Sequence, residues 1–142
     1  MPKKLEQELL ELNRKHSELF VGQAAARVRY HAEHKGNIAA FKCMDGRVNL
    51  SVLTKAPLGI IRPFRNIGGV FDLGWTALNS QIVRYVSDSA EKGRMNLFLA
   101  TYHFSQGRRH RGCRGHNYDA DRARACAAGL VEQIRRVFDG DP

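Results

Sequence analysis

Apolar residues in the first third of the chain fall near helical spacing. Leu5, Leu9, Leu12, Leu19, Ala24 and Val28 recur among Glu, Lys and Arg, which predicts one or two helices over residues 4–33. Ser17 is a candidate cap for the second of them. Lys35-Gly36-Asn37 breaks the pattern. A helical arm this short does not bury its own apolar face, so it must pack on the rest of the chain or on a partner.

Beyond Gly36 the pattern changes to short apolar runs separated by polar turns. Asn37 to Cys43 reads as a buried strand that ends at Met44-Asp45-Gly46, and residues 47–54 as a short helix. Gly59 to Phe64 reads as a second strand. Pro63 has no amide donor and should weaken or end the pairing there. Arg65-Asn66-Ile67-Gly68-Gly69 follows as a loop. Trp75 to Glu91 is helical, with Leu78, Ile82, Tyr85 and Ser89 on one face, and Lys92-Gly93 ends it. Met95 to His103 is the third strand and the most apolar segment. A polar, arginine-rich loop runs from Ser105 to Asn117. Asp119 or Asp121 then caps a last helix reaching Phe138, with Ala123, Ala127, Leu130, Ile134 and Val137 as its buried stripe.

Alternating strands and helices predict an α/β fold: a small, mostly parallel sheet flanked by helices, with an N-terminal helical arm. The arm is assigned to residues 1–34 and the α/β core to residues 35–142. In parallel sheets the site lies beyond the carboxyl ends of the strands. Cys43, Asp45, Asn66, Gly68 and His103 all fall just past the ends of predicted strands.

Composition narrows the chemistry. At 142 residues the chain fits one domain. It has no apolar run near the ~20 residues of a membrane-spanning helix. Its charged start lacks the apolar stretch of a secretory signal. These features lead to the expectation of a soluble, cytoplasmic protein. Three cysteines, with no Cys-x-x-Cys pair, make a poor disulfide framework and suit metal binding or catalysis better. Cys126, among alanines of the last helix, reads as a small buried hydrophobe. The net charge of +9 owes much to Arg108, Arg109, Arg111, Arg114, Arg122 and Arg124. That cluster fits nucleic acid, an anionic partner, an anionic small molecule or a solvated surface. Few aromatic residues accompany it, chiefly Tyr102, Phe104 and Tyr118, so any nucleic-acid binding is expected to be weak and non-specific.

Three elements then occur in order. Cys43-Met44-Asp45-Gly46-Arg47 has the form Cys-x-Asp-x-Arg. Arg65-Asn66-Ile67-Gly68-Gly69 follows about twenty residues later. A His/Cys segment from His103 to Cys113 follows the third strand. Together they resemble the β-class carbonic anhydrases over residues 37–118. The resemblance implies a catalytic core that binds Zn²⁺ through Cys43, Cys113 and one histidine, leaving a fourth position for water. It implies reversible hydration of CO₂ to bicarbonate. Asp45 would accept a hydrogen bond from the nucleophile, and Arg47 would pair with Asp45 and hold it off the metal. Asn66, Gly68 and Gly69 would lie against the substrate, with Ile67, Val70 and Phe71 as apolar walls. The family also implies a homodimer or larger homo-oligomer in which arms embrace the neighbouring subunit.

Two features depart from the common family pattern. His110-Arg111-Gly112-Cys113 keeps the usual His-to-Cys spacing, but Arg114 stands where the family has glycine, and no strand leads to His110. His103 does end a strand and lies ten residues before Cys113. The longer spacer resembles the divergent carboxysome-shell branch, which implies a place inside a bacterial microcompartment. Position after the strand favours His103 as the third ligand, with His110 the alternative. Taken alone, His110 and His116 read as surface histidines. The second departure is that no further strand follows the last helix before Asp139 to Pro142. Three other functions fit the same residues: a zinc hydrolase acting on COS or CS₂, a basic nucleic-acid-binding module, and a relative that keeps zinc for structure alone.

Overall fold

In the computed structural model, which describes residues 2–138, the central strand is the first in the chain. Strand β1 (Gly36–Cys43) lies between β2 (Ile61–Asn66) and β3 (Met95–Ala100), and both pairings are parallel. The α/β expectation is met by this small parallel sheet with helices on both faces. Met1 and the segment from Asp139 to Pro142 lie outside the described residues.

A central strand covered on both sides should be apolar along its length. The middle of β1 follows this rule, with Ala39, Ala40 and Phe41 buried, and Lys42 beside them is a buried charged exception. On one face Phe41 packs with Leu73, Ile82, Leu130 and Ile134, which brings helices α4 (Thr76–Ala90) and α5 (Ala120–Phe138) onto the sheet. The Phe41 ring stacks on Phe64 at 4.9 Å and meets the edge of Phe71 at 5.0 Å. On the other face Ala40, Ile60 and Ile61 pack with Tyr30 of α2 (Ala24–Glu33) and Leu50 of α3 (Leu50–Thr54). Helix α1 (Pro2–Gly22) leaves Leu5, Leu9, Leu10, Leu12 and Leu19 exposed. No helix among the described residues is long and apolar enough to cross a membrane.

Several local expectations are corrected. Ser17 caps nothing: it sits inside α1, where its hydroxyl donates to the Asn13 carbonyl at 2.8 Å. The break between the arm helices falls at Gln23, after Gly22, where Arg27 donates to the Phe20 carbonyl and lies 3.8 Å over the Phe20 ring. Pro63 does not end β2, which runs on to Asn66. β2 is an edge strand, where a missing amide is tolerated if it faces away from the sheet. β3 stops at Ala100 rather than His103. Its last tie is the Thr101 amide to the Phe41 carbonyl at 3.0 Å, and β1 ends two residues later. Its apolar residues are not all inside, since Met95 and Leu97 are exposed. Asp119, not Asp121, caps α5, accepting from the amides of Asp121 and Arg122 at 2.9 and 3.0 Å. Val137 drops out of the buried stripe and Phe138 packs instead. Cys126 is half-buried rather than buried.

The Phe41 cluster predicts where stability resides. Phe41→Ala should lower the unfolding free energy by about 3–5 kcal/mol and Leu130→Ala by about 2–5 kcal/mol. Val83→Ala, on the exposed side of α4, should change it by no more than about 0.5 kcal/mol. Urea unfolding followed by circular dichroism reads all three.

Candidate metal centre

Each strand end hands one element to the site. β1 delivers Cys43 as its last residue, buried. β3 is tied at Thr101, whose amide and hydroxyl both donate to the Phe41 carbonyl, at 3.0 and 3.1 Å. That tie fixes the chain two residues before His103. Cys113, buried, comes in from the loop that precedes α5. Cys43, His103 and Cys113 meet with their donor atoms all within 4.8 Å of one another, a group able to hold a metal ion.

The distances fit a tetrahedral ion. The two sulfurs are 3.8 Å apart and both cysteines are free. A disulfide needs about 2.05 Å. Two thiolates on one tetrahedral ion with bonds of about 2.3 Å lie about 3.8 Å apart. His103 adds an independent sign: its Nε2 is buried with no hydrogen-bond partner. A buried polar nitrogen left unpaired is costly, and a metal ligand position removes that cost. Burial holds the His103 pKa below its ordinary value, which favours the neutral ring that metals bind. Burial and the neighbouring Cys43 thiol push Cys113 up, so without a metal its thiolate is disfavoured. His110 does not join the group. It is exposed, with its ring edge-on to Tyr118 at 5.4 Å.

Asp45 sits on the turn after β1 and is bound to Arg47 by several hydrogen bonds. The Arg47 amide donates to Oδ1 at 2.9 Å, and Arg47 Nε donates to Oδ1 at 2.9 Å and Oδ2 at 3.2 Å. An Arg47 terminal nitrogen also donates to Oδ2. The Arg47 side chain first, and its amide second, hold the Asp45 carboxyl far below the usual carboxylate range. Asp45 faces a cavity of about 440 Å³ lined also by Cys43, Met44, Ile67, Arg114 and Gly115. Ile67 is therefore a wall of this cavity. Val70 and Phe71 are not. They line a neighbouring groove with Phe64, Trp75 and Leu78.

The loop after β2 has mainly a structural task. Asn66 Oδ1 accepts from the Ile67 amide at 2.8 Å, and Asn66 Nδ2 donates to the Val70 carbonyl at 2.8 Å. Both ends of that side chain close the turn. Gly68 and Gly69 are buried, both at positive φ. A Cβ on Gly69 would lie 3.3 Å from the Cys43 amide nitrogen, so Gly69 packs directly against the ligand strand.

Two residues to which sequence alone assigns no role at the site, His116 and Gly115, join the loops. His116 Nε2 lies 2.8 Å from the Gly68 carbonyl. A carbonyl only accepts, so Nε2 carries the proton. A Cβ on Gly115 would meet the Gly68 backbone at 2.6 Å. The glycine missing directly after Cys113 is present one residue later, and Cys113-Arg114-Gly115-His116 is the signal that could have found both. Lys42 is the third surprise: it is buried next to a ligand, and burial first, then Arg65, lowers its pKa.

No protein-family model matches the chain, and no curated protein matches it.

The geometry sorts the histidines and the glycines. Cys43→Ser, Cys113→Ser and His103→Ala should each lose the bound metal, while His110→Ala should keep it, as read by elemental analysis after metal loading. Zinc kept in His103→Ala and lost in His110→Ala would reverse the assignment. Gly115→Ala forces the two turns apart and should weaken metal binding by about 10-fold or more, the loss typical when ligand support is disturbed.

Proposed function

We propose that Cys43, His103 and Cys113 bind Zn²⁺ and that the chain catalyses the reversible hydration of CO₂ to bicarbonate. Two thiolates and an imidazole suit zinc, and three protein ligands leave one position open, the mark of a catalytic rather than a structural site. The observation that carries the reading is this open donor set beside a carboxylate locked onto its own arginine, with Cys43 and Asp45 both lining the 440 Å³ cavity. The resemblance to β-class carbonic anhydrases points the same way.

Zinc, when bound, supplies Lewis acidity that lowers the pKa of a water to roughly 7 in three-histidine carbonic anhydrases, and less strongly with thiolate ligands. The chain's own residues do the rest. Arg47 keeps Asp45 ionised and anchored, so Asp45 neither donates a proton nor swings into the open position. It acts as a fixed acceptor that orients the attacking water. Met44 and Ile67 give the cavity apolar walls against which uncharged CO₂ is not at a disadvantage to water. Arg114, on the same cavity, offers a positive charge to bicarbonate as negative charge develops.

Asp45→Asn tests this division of labour. The amide presents an NH₂ where an acceptor is required. Zinc content should be unchanged, while kcat/KM for CO₂ hydration, by stopped-flow with a pH indicator, should fall by about 100-fold or more. A fully active Asp45→Asn enzyme would refute the role given to Asp45. Fully zinc-loaded wild-type protein without CO₂ hydration would refute the reaction.

The same reading includes a homodimer or larger homo-oligomer. The exposed leucines of α1 form an apolar face that nothing among the described residues covers. Light scattering at micromolar concentration should give at least twice the mass of one chain, and a monomer would contradict it.

A further inference from the structure

A second polar cavity lies at the other end of the sheet. It measures about 260 Å³ and is lined by His31, Asn37, Gly59, Ile60, Arg62, Tyr85, Asp88, Ser89, Lys92 and Arg94. Asn37 is near the start of β1, and Arg94 immediately precedes β3. Cys43 is six residues along β1 from Asn37. At about 3.3 Å per residue, the cavity and the metal ligands are about 20 Å apart.

Its floor is rigid. Asn37 Nδ2 donates to Ser89 Oγ at 2.6 Å, and Ser89 Oγ donates to the Tyr85 carbonyl at 2.8 Å. Arg94 approaches Asn37 Oδ1 at 3.5 Å, and Arg62 lies 4.6 Å over the Tyr85 ring. Its charge is unbalanced. Arg62, Lys92 and Arg94 face it with Asp88 as the one carboxylate. Among the described residues, none of these four takes part in a salt bridge. His31 also lines the cavity, and its Nδ1 is buried with no hydrogen-bond partner among the described residues. Cations in excess of the nearby carboxylate and paired with none, around a hydrogen-bonded polar floor, are the arrangement that binds oxyanions.

We propose that this cavity is a binding site for a phosphate dianion, either free or as the terminal group of a phosphomonoester. Three cations against one carboxylate leave a local excess that a dianion neutralises and a monoanion does not. The two guanidinium groups offer paired donors to its oxygens, and Lys92 a point charge. The site stands on residues remote from the metal centre and does not depend on the reaction proposed there.

Isothermal titration calorimetry on the full chain tests it, with inorganic phosphate and phenyl phosphate as separate probes and chloride at equal ionic strength as the blank. Wild type should bind one or both with a dissociation constant on the order of 1 mM or below. Binding of both probes assigns the site to the phosphate group itself, and binding of one assigns it to that form. Lys92→Gln and Arg94→Gln should each weaken binding by about tenfold or more. Asp88→Asn should tighten it several-fold, a change in the opposite direction that a folding defect would not produce. Arg136→Gln, on the exposed side of α5, should leave it unchanged. Binding of neither probe by wild type, or equal binding across these variants, would overturn the proposal.

Discussion

A Cβ on Gly115 would sit 2.6 Å from the backbone of Gly68, so the turn after β2 and the turn before α5 touch only because both positions lack a side chain. His116 fastens the contact by donating to the Gly68 carbonyl at 2.8 Å. Gly69, next to it, packs under the end of β1. Through these contacts the loop carrying Cys113 is held against the strand carrying Cys43, although the two cysteines are 70 residues apart in sequence. The sheet alone does not bring Cys113 to the site. The glycine contact does.

That placement has an energetic consequence. Two thiols and an unpaired imidazole nitrogen are buried together, and without a metal this is unfavourable. A cation that accepts two thiolates and the ring nitrogen reverses the balance, with release of thiol protons. Metal uptake would therefore be coupled to folding of the loop from Thr101 to Asn117, because most of the arginine-rich stretch is exposed. Asp45, by contrast, is ordered by Arg47 alone and does not need the metal to reach its position. The carboxylate is preformed, whereas the Cys43, His103 and Cys113 group would be completed only by an ion.

Much of this was legible in the sequence. The buried run from Asn37 to Cys43, the one-faced helices α4 and α5 and the alternation of strands with helices defined a parallel sheet, because periodicity reports which residues must leave water. Placing His103 with Cys43 and Cys113 followed from its position after an apolar strand. What stayed hidden depends on contacts between distant segments. His116 looks like a surface residue until the Gly68 carbonyl is brought to it. The turn-closing task of Asn66 shows only once both ends of its amide are seen bonded to the loop. Val70 and Phe71 line a different groove from Ile67, since a few residues of turn decide on which side of Ile67 they fall. The cationic cavity at the opposite end of the sheet joins residues from α2, β1, β2, α4 and the approach to β3, and no local pattern announces such a grouping.

X-ray absorption at the zinc edge on the purified, zinc-loaded chain probes the centre most directly. The expected first shell has two sulfurs at about 2.3 Å and one imidazole nitrogen at about 2.0–2.1 Å, completed by one light atom not supplied by a cysteine. A shell of four sulfurs, a shell of nitrogen and oxygen only, or a chain that retains no zinc would contradict the centre described.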